Sequence, residues 1–86
     1  MTANEIRDRV IKTLSGIAPE LDAGTLKLDQ SLRDQLDIDS MDFLNFLIAL
    51  HQEFGVDVPE ADAGKLTTVD ACAAYVAAAL GIRTQA

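Results

Sequence analysis

Residues 39–59 read DSMDFLNFLIALHQEFGVDVP, and this stretch decides the fold. Asp39 and Ser40 are N-capping residue types set directly before an apolar-periodic run, and Gly55 with Pro59 closes it. The pattern predicts a helix over Ser40–Phe54, with Asp39 or Ser40 as its cap. With Ser40 at zero and about 100° per residue, Phe46, Leu50, Phe43, Phe54 and Leu47 fall between roughly 240° and 340°. A stripe about 100° wide is what one core-facing side needs. Leu44, Ile48 and Met41 form a second apolar cluster between roughly 40° and 100°, and Asn45, Gln52, Asp42 and Glu53 hold the polar side. Two apolar faces need two coverings. Either the leucines of the preceding loop cover Met41, Leu44 and Ile48, or part of that stripe stays exposed as a docking surface beside Ser40.

Outward from this helix, residues 18–38 form a long connection, APELDAGTLKLDQSLRDQLDI. Structureless loops of that length are uncommon in small domains. Leu21, Leu26, Leu28, Leu32, Leu36 and Ile38 anchor it to the core, and Ser31–Leu36 has the makings of one helical turn. Before the loop, Thr2 with Glu5 fits a capping box, and Ile6, Val10, Leu14 and Ile17 recur at helical spacing. Gly16 and Pro19 end that helix. After Pro59 come a short turn around Glu60–Gly64 and a last helix, capped by Thr67 or Thr68 and running to Leu80 before Gly81. The reading is all-α, one domain over residues 1–80, with a flexible tail at 81–86.

Composition narrows the function. At 86 residues the chain has room for one modest core, and 49% hydrophobic content argues against disorder. Fourteen acids against seven Lys and Arg give a net charge of −7, which disfavours nucleic acid and anionic membrane and favours partners with basic patches. The N-terminus has no signal-peptide pattern, and no stretch approaches the roughly 20 apolar residues of a membrane span. The single cysteine, Cys72, cannot form an internal disulfide and suits a reducing compartment, so a cytoplasmic, monomeric protein is expected.

Ser40 admits two readings. It is a helix cap, or it is an exposed hydroxyl that receives a modification, with a phosphodiester there facing the positive end of the helix. Asp39 and Asp42 oppose such a phosphate, so their presence needs another cause. Nucleophilic catalysis fails on geometry, because His51 lies eleven residues on, about 16 Å along the axis, and no nucleophile elbow is present. Calcium fails too: an EF-hand loop starting at Asp37 has Asp42 where glycine is required and Ile48 where glutamate is required. No metal site is expected. Cys72, among alanines, reads as a small core residue.

Asp39-Ser40-Met41, followed by Leu44, Leu47, Leu50, Phe54, Val58-Pro59 and Lys65-Leu-Thr-Thr-Val69, resembles the phosphopantetheine attachment segment of acyl carrier proteins. The resemblance continues to Tyr75-Val76. It implies a four-helix bundle of acyl-carrier type with a long first loop and a short third helix. It implies further that Ser40, beside Asp39, receives 4′-phosphopantetheine from coenzyme A through a holo-carrier synthase. The arm's thiol then holds an acyl group as a thioester for acyl-loading and acyl-transferring enzymes with basic or apolar patches. Met41, Asp42, Leu44 and Ile48 match positions that help such enzymes dock. The chain itself would be no enzyme.

The departures from the family pattern carry information. Asp37 stands where a glycine is common. Asn45, His51, Gln52 and Gly64 replace acids that meet basic patches on fatty-acid-synthesis enzymes, and each lost pair weakens docking by up to about 1 kcal/mol. The expectation is a specialised carrier outside housekeeping fatty-acid synthesis. Ala73 stands where a larger aliphatic is common, leaving space for an acyl cavity or for a neighbouring Phe43 or Phe46 to fill. Aminoacyl, D-alanyl or peptidyl cargo is the alternative within the class. Outside it, the alternative is an unmodified helical interaction module using the Met41/Leu44/Ile48 stripe.

Overall fold

A computed structural model describes residues 1–81, and the expected flexible tail beyond Gly81 lies outside the described residues. The helices are α1 (Ala3–Ile17), α2 (Leu32–Leu36), α3 (Ser40–Phe54), α4 (Glu60–Ala63) and α5 (Val69–Leu80). The expected four-helix pattern is therefore present, with one additional turn, α2, inside the long first loop.

Local chemistry sets each boundary. Thr2 and Glu5 form the capping box of α1, with Glu5 N–H donating to Thr2 Oγ1 at 3.2 Å and Thr2 N–H to Glu5 Oε1 at 3.0 Å. Of the two threonines proposed for α5, Thr68 is the cap, accepting from Ala71 N–H at 3.0 Å. Gly55 and Gly81 end α3 and α5 with φ of 69° and 73°, where a side chain is disfavoured.

The core forms where the apolar stripes meet. Ile6, Val10 and Leu14 of α1, Phe46, Leu47 and Leu50 of α3, and Val69, Cys72, Val76 and Ala77 of α5 share one buried cluster with Leu32, Val56 and Leu66. α1 packs against both α3 and α5. Phe43 and Phe54, within the predicted core stripe, are half-buried against this cluster, and the Phe43 and Phe46 rings sit tilted at 6.3 Å. The loop leucines Leu21, Leu26, Leu28 and Leu36 also pack onto the core.

Residues 18–31 hold their shape without regular structure because their polar groups are satisfied. Asp22 accepts from Gly24 N–H at 2.9 Å in a side-chain turn. The Gln35 amide accepts from Lys27 N–H at 2.7 Å and donates to the carbonyls of Lys27 and Gln30 at 2.8 and 3.0 Å. Two backbone bonds then tie this region to the start of α5: Leu32 N–H to Thr67 O at 2.8 Å, and Asp70 N–H to Leu28 O at 3.0 Å. They satisfy donors that the starts of α2 and α5 cannot satisfy internally.

The short α4 is held to α5 by Tyr75, whose hydroxyl donates to Asp62 Oδ2 at 2.7 Å, while Lys65 Nζ lies 3.2 Å from Asp62 Oδ1. The Tyr75 hydrogen bond, and then the Lys65 one, lower the Asp62 pKa below its ordinary 3.8. The same bond raises the Tyr75 pKa above its ordinary 10.0. A lowered acid pKa contributes stability above the unfolded value and loses it as pH falls through the folded one; the raised tyrosine loses its contribution as pH rises through its folded value. Tyr75→Phe should therefore lower the unfolding midpoint at neutral pH, and its difference from wild type should shrink as pH falls below 3.8, measured by thermal scans across the acid range.

Candidate functional site

The site is built around the start of α3. Asp39, in extended conformation, caps the helix: its Oδ1 accepts from Asp42 N–H at 2.8 Å, and Asp42 Oδ2 accepts from Asp39 N–H at 3.5 Å. The two acids that oppose a phosphate thus have a structural cause, since together they satisfy orphan donors of the helix end. Ser40, first residue of the helix, is left exposed and is not the cap. Among the described residues its hydroxyl is engaged by one group, Arg33 Nη2, which donates to Ser40 Oγ at 3.1 Å.

The chain turns into this site through Asp37, which has φ of 52° and ψ of 40°. That left-handed geometry explains why glycine is common at this position in the family pattern. Aspartate is among the few side-chain-bearing residues that visit it routinely, so the substitution keeps the turn. Ile38, next along, is buried and pins the turn to the protein.

The second apolar stripe of α3 is exposed. Met41, Leu44 and Ile48 keep 64%, 51% and 49% of their surface accessible, the loop leucines having packed on the core instead. Leu44 and Ile48 form one wall of a groove of about 650 Å³ that Val58, Pro59 and Ala63 complete. His51, exposed as expected, closes the groove's rim: its Nδ1 lies 3.1 Å from Asp57 Oδ1 and 3.3 Å from Val56 O. Asp42 is half-buried by its capping role, whereas the three apolar side chains stand free beside Ser40.

Elsewhere, Cys72 is fully buried, its Sγ 3.6 Å from Leu66 O, and burial pushes its thiol pKa up to about 12. Ala73 is half-buried and lines a surface groove with Ala3, Asn4, Arg7 and Asp70. Among the described residues no cluster of His, Cys, Asp or Glu is placed to hold a metal, and no helix is long and apolar enough to cross a membrane.

One site residue escaped the sequence reading. Arg33 sits seven residues before Ser40, with a left-handed turn between them. The only hint in the sequence is that it is the sole Lys or Arg between Lys27 and Lys65, in an acid-rich stretch.

A family model described as the phosphopantetheine attachment site matches residues 8–76. An acyl carrier protein of Campylobacter hominis is 32% identical over 72 residues, covering 84% of this chain and 85% of the relative. The chain belongs to the acyl carrier protein family. A second acyl carrier protein, from Renibacterium salmoninarum, is 33% identical over 70 residues, with 81% and 82% covered. The solution structure of an Anaplasma phagocytophilum chain assigned as an acyl carrier protein superposes with a TM-score of 0.79 at 28% identity, covering 91% of both chains. The carrier is thus not an enzyme, and its cofactor is covalently attached 4′-phosphopantetheine. Its partners are, in general, a phosphopantetheinyl transferase and biosynthetic enzymes.

The division of labour between the carrier's Asp39 and Ser40 has a measurable signature. Asp39→Ala should cost about 1 kcal/mol of stability by loss of the cap, whereas Ser40→Ala should stay within about 0.5 kcal/mol of wild type, both read by urea unfolding of the unmodified protein.

Proposed function

We propose that the carrier holds acyl intermediates as thioesters on an arm attached to Ser40, and presents them to biosynthetic enzymes. One observation carries the reading: Ser40 Oγ is exposed on the first turn of α3 and free of capping duty, because Asp39 performs it. The residues around it suit a phosphodiester. The N–H groups of Ser40 and Met41 donate to no acceptor among the described residues, and the positive end of α3 favours an anion there.

In the loading step, Ser40 Oγ attacks the pantetheine-bearing phosphorus of coenzyme A. The Oγ–P bond forms as the phosphoanhydride P–O bond breaks, adenosine 3′,5′-bisphosphate leaves, and the hydroxyl proton passes to a base of the transferase. The arm then supplies a terminal thiol that activates an acyl carbonyl as a thioester. Met41, Leu44 and Ile48, one, four and eight residues after Ser40, offer enzymes an apolar landing surface. The acidic charge of −7 assists basic partners. A cytoplasmic setting accords with a cofactor whose thiol must stay reduced. The folding unit, on this reading, is the stretch 1–80.

Cys72 makes the test clean, since a buried thiol with a pKa of about 12 does not react near neutral pH. Incubation with coenzyme A and a phosphopantetheinyl transferase should add one arm by intact mass and one thiol titratable under native conditions. Ser40→Ala should show neither. An unchanged wild-type mass with several transferases would refute the reading.

We infer further that the carrier is specialised, serving a pathway other than housekeeping fatty-acid synthesis. Asn45 and Gln52 leave that side of α3 short of acid, and His51, where an acid is common, is paired with Asp57. Supplied with a standard type II fatty-acid synthase, the loaded protein should accept malonyl and elongate poorly compared with a housekeeping carrier. Efficient elongation would overturn the inference.

A further inference from the structure

Arg33 reaches Ser40 from α2, and the surroundings make that contact unusual. Asp34, Asp37, Asp39 and Asp42 all lie near it in sequence, yet among the described residues Arg33 makes no ion pair. Its guanidinium instead donates to a neutral hydroxyl, Ser40 Oγ, at 3.1 Å. α2 does not hold it there loosely. Leu32, the preceding residue, is fully buried and bonded through its N–H to Thr67 O at 2.8 Å, and Gln35 ties the same turn to Lys27 and Gln30.

We infer that Arg33 is a positioning residue for the phosphodiester formed at Ser40, binding its non-bridging oxygens and biasing the direction in which the arm leaves α3. The inference rests on the reading that Ser40 carries the arm. Esterification removes the hydroxyl proton and places two non-bridging oxygens, sharing one negative charge, two bonds from Oγ, the atom that Arg33 already contacts. A guanidinium is always charged and presents several N–H donors in a planar fork, which suits phosphate better than a point charge does. The contact to Oγ has a charged donor and a neutral acceptor; loading makes the acceptor anionic as well, so the contact strengthens. It also offsets the repulsion between the new anion and the flanking carboxylates of Asp39 and Asp42, which the cap requires.

The test compares wild type, Arg33→Lys and Arg33→Gln, each loaded from coenzyme A by a transferase, with loading verified by intact mass. Arg33 is exposed, and the unloaded variants should match wild type in far-UV circular dichroism and unfolding midpoint. The expected results are a shift of the wild-type Arg33 Nε–H resonance on loading and a displaced ³¹P resonance in loaded Arg33→Gln, with Arg33→Lys between. The displacement should shrink at high salt. If wild type and Arg33→Gln load but share one ³¹P shift, and Arg33 Nε–H does not move on loading, the role of Arg33 is overturned while Ser40 stands. If wild type takes no arm, both fall. Should Arg33→Gln fail to fold, the wild-type resonance and the lysine variant decide the question.

Discussion

The reciprocal hydrogen bonds between Asp39 and Asp42 fix the point at which α3 begins, and the arrangement of the site depends on that point. A helix start leaves N–H donors that must find acceptors, and a capping acid is the cheapest local supply. With Asp39 in that role, Ser40 becomes the first helical residue and keeps its hydroxyl exposed. The same starting point sets the rotation of the helix. Phe46 and Leu50 turn to the core at full burial, and Met41, Leu44 and Ile48 turn outward on the side of Ser40.

The long first loop then acts as a structural member. Its leucines pack on the core, and its backbone is tied to α5 through Thr67 and Asp70. Because those leucines are spent on the core, the outer stripe of α3 stays uncovered, and a groove opens between α3 and α4. Tyr75 and Asp62 hold the far wall of that groove by joining α4 to α5. Loop, groove and exposed serine are consequences of one packing solution, in which α1 meets both α3 and α5 and the outer face of α3 is left exposed.

Much of this was legible in the chain. The helix boundaries followed from Thr2-Glu5, Gly55 and Gly81, and the core stripe of α3 from its 3.6-residue period, because capping and amphipathicity are local properties. The wheel also showed that α3 has more apolar surface than one core face needs. It left open whether the loop leucines cover Leu44, since coverage depends on where those leucines go. Asp39 and Ser40 were equally good capping types, and only the backbone conformation of Asp39 separates them.

What the sequence determined by itself was the set of helices, the acidic charge, the family resemblance and the candidacy of Ser40. Each rests on residues close together or on composition. The tertiary structure decided that Met41, Leu44 and Ile48 are exposed, that Asp37 takes a left-handed conformation, and that Arg33 lies against Ser40. These depend on where the loop leucines pack and on how a buried Leu32 and a bonded Gln35 seat α2, and no spacing along the chain encodes that placement.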